Sequence, residues 1–144
     1  MTGAPTDESK ELVRRSMDAL NDRDRDTFAE VFAEEFTVQP YGMEREAFIE
    51  AEFAYYDAFP DLTYTLDEMI AEGDRIAFRW SMRGTHSGEG GPEPFAQLEP
   101  TNEEIDVTGM NIARIEDGKI AEWWPEWGTL ELFQQLGVVS LPNE

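Results

Sequence analysis

The apolar pattern of this chain changes period at Pro60, and that change limits the architectures open to it. Before Pro60, apolar residues recur at helical spacing. From Asp7 onward, Leu12, Val13, Met17 and Leu20 share one stripe, and Asp7 and Glu8 suit the positive end of a helix. Asn21-Asp22-Arg23-Asp24 breaks that stripe, and a shorter one follows on Phe28, Val31 and Phe32. Phe36, Val38 and Pro40 read as a short extended piece. Glu44 to Ala58 is a third helix carrying Phe48, Ala51, Tyr55 and Phe59 at its spacing. It stops at Phe59-Pro60, because the residue before a proline is pushed out of the α region.

After Pro60 the side chains alternate. Leu62, Tyr64 and Leu66 interleave with polar residues, and Glu72-Gly73-Asp74 makes a turn. Ile76, Phe78, Trp80 and Met82 then alternate with Ala77, Arg79, Ser81 and Arg83, the period of a half-buried strand. Gly88 to Pro100 contains three glycines and three prolines and is a loop. Ile105 to Ile115 is strand-like, Asp117-Gly118 supplies a hairpin turn, and Ile120 to Trp124 returns. Thr129 to Leu136 is a short helix that Gly137 ends. Helices followed by hairpin-linked strands predict an α+β fold. The expected form is a cone: a curved antiparallel sheet closed by the N-terminal helices around a pocket. The 144 residues are the length of one domain, so one domain over 1–144 is expected, with residues 1–6 loose.

Composition excludes several functions. There is no cysteine, and His86 is the only histidine, so thiolate sites, disulfides and multi-histidine zinc sites are ruled out. No cofactor is indicated, since no glycine-rich phosphate loop links a strand to a helix. The net charge is −21, from 11 basic and 32 acidic side chains. Such a surface repels a phosphate backbone and an anionic membrane alike, so neither nucleic acid nor membrane is an expected partner. No run approaches the roughly 18 apolar residues of a membrane span, and the polar first fifteen residues hold no signal-peptide core. A cytoplasmic location is therefore expected. An acid-rich chain with only Lys10 and Lys119 as lysines is also the pattern of proteins from salt-loving archaea, where molar salt screens the self-repulsion.

Six stretches carry a family resemblance. They are Ala19 to Asp24, Phe59-Pro60-Asp61-Leu62, Ile70 to Arg75, Gly84-Thr85-His86-Ser87-Gly88, Arg114 to Ile120 and Gln134 to Val138. In this order and spacing the chain resembles the SnoaL-like polyketide cyclases, within the nuclear-transport-factor-2-like superfamily. The resemblance implies a cone fold, a small apolar and oxygenated ligand, and often a homodimer formed through the sheet. In cyclases of the family an aspartate on the last strand, five residues after the hairpin Lys-Ile, removes a proton in an intramolecular aldol reaction. A histidine on the preceding strand assists it. Those positions here are Pro125 and Asn111, and proline transfers no proton. The expected functions are therefore two: a cofactor-free cyclase or isomerase with a displaced base, or a non-catalytic binding or dimerisation domain.

The residues offer further candidates. Glu122 and Glu126 flank Pro125 and are candidate bases, against the alternative of solvated surface acids. His86 keeps the phase of Phe78, Trp80 and Met82, so it either reaches the pocket as an acid/base or anchors the loop that follows. Trp123 and Trp124 must face opposite sides of their strand. The expected ligand-binding set is Trp80, Asn111, Trp123, Pro125 and Tyr55, with Tyr41 and Tyr56 as further hydroxyl donors. Arg79 and Arg83 fall on the polar face and are expected to pair with surface carboxylates.

Overall fold

In a computed structural model of the chain, the backbone is described for residues 3–142 and the side chains for residues 7–142. The expectation of a loose start at residues 1–6 lies at this boundary: residues 1 and 2 are outside the described ones, and the backbone is helical from Gly3. Helix α1 (Gly3–Asn21) and the short α2 (Arg25–Glu30) come first. Asp24 caps α2, accepting from the Thr27 N–H at 3.1 Å and from the Thr27 hydroxyl at 2.7 Å. Strands β1 (Phe32–Val38) and β2 (Met43–Glu44) precede α3 (Arg45–Ala58). Then come β3 (Thr63–Glu72), β4 (Arg75–Thr85), β5 (Glu104–Glu116), β6 (Lys119–Trp127) and α4 (Thr129–Leu136).

The six strands form one curved, unclosed sheet in the order β2-β1-β6-β5-β4-β3. All neighbours are antiparallel except β1 and β6, which run parallel. The register shifts between Phe32 and Thr37, between Leu66 and Glu68, and between Arg114 and Ile115. Each such irregularity bends its strand and increases the local twist, which curls the sheet around its helices.

Three local expectations are corrected. Phe32 opens β1 instead of closing a helix, because the chain turns at Val31, whose carbonyl accepts the Ile120 N–H at 2.8 Å. Strand β3 continues to Glu72 beyond Leu66. The shift at Leu66/Glu68 reverses its phase, so Met69 and Ala71 pack on the core while Ile70 faces out. Strand β6 runs through Pro125 to Trp127. Its neighbour β1 ends at Val38, opposite Trp123, so no strand beyond that point requires an N–H from residue 125.

Inward side chains build two aromatic clusters. Phe32, Phe36, Phe48 and Trp123 lie with ring centroids 4.7 to 5.8 Å apart. Phe95, on a single helical turn at Phe95–Gln97, meets Tyr55, Phe59, His86 and Phe133 at 5.5 to 6.1 Å. Full burial of one such ring is worth ~1.5–3 kcal/mol, so these clusters carry much of the core. Among the described residues, no helix is long and apolar enough to cross a membrane.

Candidate functional site

A cavity of about 170 Å³ lies inside the cone, and its walls follow from the alternation of the strands. Trp80 and Met82 of β4, Asn111 of β5, and Trp123, Pro125 and Trp127 of β6 line the sheet side. Met17 and Leu20 of α1, with Phe48, Glu52 and Tyr55 of α3, line the helix side. Tyr41, in the turn between β1 and β2, also lines it yet is 69% exposed, which places it at the mouth.

Glycine 109 makes room for the two indoles. It pairs with Trp80 on one side and Trp127 on the other. A Cβ there would lie 2.4 Å from the Trp80 ring and 2.6 Å from Trp127 Cβ. With only hydrogen at 109, Trp80 reaches along the sheet and its indole N–H donates to Asn111 Oδ1 at 2.8 Å. An indole nitrogen only donates, so this bond fixes the Asn111 carboxamide with oxygen toward Trp80. The amide NH₂ of Asn111 makes no hydrogen bond with another described residue and is free to donate to a ligand oxygen.

Glu52 is the only acid lining this cavity. It is half-buried and lines the void beside Phe48 and Tyr55 of the same helix. Its carboxyl makes no hydrogen bond or ion pair with another described residue. No lysine, arginine or histidine lines the cavity. Removal from bulk water disfavours the charged form, and its pKa is pushed up to about 7. Burial likewise raises the Tyr55 and Tyr64 hydroxyls, with the Glu52 charge adding to the effect. A carboxyl poised near neutrality in an apolar space, with an amide donor and phenols on the same walls, is equipped for proton transfer.

The sequence-predicted residues divide sharply. Trp80, Asn111, Trp123, Pro125 and Tyr55 share this one cavity. The three candidate catalytic residues lie outside it. Glu122 is on the outer face, accepting from Arg114 Nε at 2.8 Å and Gln39 Nε2 at 3.2 Å. Glu126 is exposed, opposite Met110. His86 has no accessible surface and follows the loop-anchoring alternative. Its Nδ1 accepts from the Thr101 N–H at 3.2 Å, while its backbone N–H donates to the Glu103 carbonyl and its carbonyl accepts from Asn102. The ring thus holds both ends of the 86–103 loop together, and burial lowers its pKa.

Tyr56 also turns away from the ligand space, donating to the Leu20 carbonyl at 2.6 Å. Arg79 and Arg83 pair on the outside with Glu68 and Asp106, each at 3.3 Å. Tyr64 and above all Glu52 were missed by sequence reasoning. The signal for Glu52 was present: it sits four residues after Phe48 and three before Tyr55, on the apolar stripe of α3. In a chain with 32 acids, one acid on an apolar stripe attracts no notice. Among the described residues, no cluster of acids and histidine is arranged to hold a metal ion.

Comparison with known proteins gives a consistent picture. The model of the SnoaL-like polyketide cyclase family matches residues 10–136. No curated protein matches the sequence. Several solved structures share the fold. AclR from Streptomyces galilaeus is 24% identical, with a TM-score of 0.82 over 96% of this chain and 87% of its own. TsrD from Streptomyces laurentii is 24% identical, with a TM-score of 0.80 over 92% of this chain and 96% of its own. IdmH from Streptomyces antibioticus is 26% identical, with a TM-score of 0.74 over 90% of this chain and 98% of its own.

Proposed function

The chain belongs to the SnoaL-like polyketide cyclase family, and from that premise we propose that its cavity binds a small, apolar, oxygenated molecule and moves a proton on it with Glu52. The observation that carries this reading is the Glu52 carboxyl, unpaired in an apolar cavity whose family base position is Pro125. In this scheme the Glu52 carboxylate takes a proton from a carbon next to a carbonyl. The electron pair moves onto the carbonyl oxygen, where the Asn111 NH₂ donates a hydrogen bond. The enolate then attacks a second carbonyl of the same molecule, or is reprotonated elsewhere, and Glu52 returns the proton. No cofactor enters either route.

Size narrows the ligand. A cavity of roughly 150 Å³ accommodates benzene, so one of about 170 Å³ matches a single substituted ring. The test is solvent deuterium exchange into one-ring β-diketones and β-keto esters, followed by proton NMR. The protein is expected to accelerate exchange at the carbon between the carbonyls. Exchange no faster than in buffer across the panel overturns the acid–base reading and leaves binding alone.

The outer face supports a homodimer. Ile70, Ala77, Ile112 and Trp124 lie in register across β3, β4, β5 and β6. Ile70 is 66% exposed, Ile112 48% and the adjacent Met110 55%. Charged residues flank this row on both sides, including Arg75 and Arg79 against Glu122 and Glu126, so a two-fold copy meets both apolar and opposite-charge surface. Light scattering in molar KCl is expected to show a dimer that Ile112→Glu converts to a monomer. A monomeric parent protein at micromolar concentration refutes it.

The charge of −21 supports adaptation to high salt in a cytoplasm that contains it. Molar salt shortens the Debye length to about 3 Å and screens this self-repulsion. The melting temperature is expected to climb steeply with KCl; a value independent of salt removes the halophilic reading.

A further inference from the structure

We infer that the same cavity is a receptor for small organic cations, with Glu52 as counter-ion and a run of aromatic rings as its wall. This goes beyond the acid–base reading, because it needs the charge of Glu52 and the ring faces but no chemistry.

Four rings that line the cavity touch in sequence. Tyr64 and Trp80 have centroids 6.1 Å apart, Trp80 and Trp127 6.1 Å, and Trp127 and Tyr55 6.3 Å. Aromatic faces carry negative charge density and attract an ammonium group, most strongly when both are removed from water. Glu52 adds a full negative charge to the same enclosed space, and no lysine, arginine or histidine on its walls neutralises it. An ionised Glu52 is an unpaired charge in an apolar interior, a costly state that a cationic ligand relieves. A carboxylate or phosphate ligand meets the reverse: a like charge and no cation to receive it. An alkylated ammonium suits the space better than a metal ion, because its methyl groups pack on rings and need no set of oxygen ligands.

Binding is coupled to the protonation of Glu52. Below its pKa of about 7 the carboxyl must release a proton before the cation binds, so affinity falls by up to tenfold for each pH unit below that point. The other titratable groups around Glu52 are phenols: Tyr41 at the mouth, Tyr55 and Tyr56 on α3 and Tyr64 on β3. Burial holds Tyr55 and Tyr64 protonated well above the range of interest. Arg23 stacks on the Tyr56 ring, 3.8 Å from its centroid, and does not line the cavity.

The experiment compares choline with its neutral isostere 3,3-dimethylbutan-1-ol by calorimetry and tryptophan fluorescence, at one fixed KCl concentration and at pH 6 and pH 8. At pH 8 choline is expected to bind about tenfold tighter than the isostere, or better, and to lose most of that preference at pH 6. Glu52→Gln is expected to remove the preference and leave isostere binding within about twofold. Trp127→Leu, checked for folding by circular dichroism, is expected to weaken choline more than the isostere. Equal or weaker binding of choline at pH 8, no binding of either probe, or a preference that survives Glu52→Gln overturns the inference. Isostere binding without choline binding leaves the acid–base reading intact. Choline binding without deuterium exchange does the opposite.

Discussion

Glu52→Gln is expected to abolish proton-transfer activity and, at the same time, to stabilise the protein at pH 8. Losing a positioned base costs roughly 10²–10⁴ in rate, so deuterium exchange should fall by at least two orders of magnitude. Stability should move the other way. The Glu52 pKa rises from 4.5 to about 7 on folding. Below pH 4.5 both states hold the proton, and the group contributes nothing to the pH dependence. Between pH 4.5 and 7 the unfolded chain releases the proton while the folded protein keeps it, so stability declines as pH rises, and it levels off above 7. The total is about 3 kcal/mol, for a shift of roughly 2.5 pKa units. Removing the carboxyl restores that amount at pH 8 and less than ~1 kcal/mol at pH 5. For a chain of this length 3 kcal/mol is roughly 10 °C in melting temperature. Thermal melts of both proteins at the two pH values measure it. A variant less stable than the parent by the same margin at both pH values would mean that Glu52 is not held against its own ionisation. Opposite signs for activity and stability are the mark of a group kept at a functional site at the expense of the fold.

Gly88→Ala should damage the protein more than most core substitutions, although Gly88 lies in a loop. A Cβ at 88 would stand 1.9 Å from the Asp57 carbonyl oxygen, well inside van der Waals contact. The obstacle is backbone at the C-terminal end of α3, so no rotamer change relieves it. The Gly88 N–H also donates to the Ala58 carbonyl at 3.1 Å, a bond that this displacement breaks. Overpacking costs ~1–3 kcal/mol and an unsatisfied buried carbonyl ~1–3 kcal/mol more. A fall in melting temperature of roughly 10 °C or more is expected. The loop also carries Phe95, whose ring contacts Tyr55 on the cavity wall, so ligand affinity should fall with it. A variant as stable as the parent would show that the loop does not approach α3 in this way.

Local pattern alone determined much of this protein. The period-two run from Ile76 to Met82 placed Trp80 inward, and the Asp117-Gly118 hairpin aligned β6 against β5. The resemblance, counted five residues on from the hairpin Lys-Ile, made Pro125 the notable residue of the site, but its place opposite Asn111 rests on the register shift between Arg114 and Ile115, since the turn alone would pair Asn111 with Trp124. The inward phase of Trp80 and the start of the β5–β6 pairing are legible because alternation and turn geometry are set by neighbouring residues. Tertiary structure decided what depends on residues far away in sequence. The shift at Leu66/Glu68 turned Ile70 outward, which no alternation count reveals, because a bulge is defined only against its partner strand. The parallel pairing of β1 with β6, which sets Phe32 beside Ile120 and Val38 beside Trp123, joins segments more than 80 residues apart and likewise leaves no local trace. His86 had the phase of a pocket residue, yet Thr101, fifteen residues on, took its ring nitrogen into the loop. Glu52 is the clearest case. A carboxyl on an apolar helical stripe looks the same in sequence whether it escapes to water or faces a void. Only the walls that Trp80, Trp127 and Tyr64 share with it make it a half-buried acid with a raised pKa, because desolvation is a property of the whole surroundings and not of the residue.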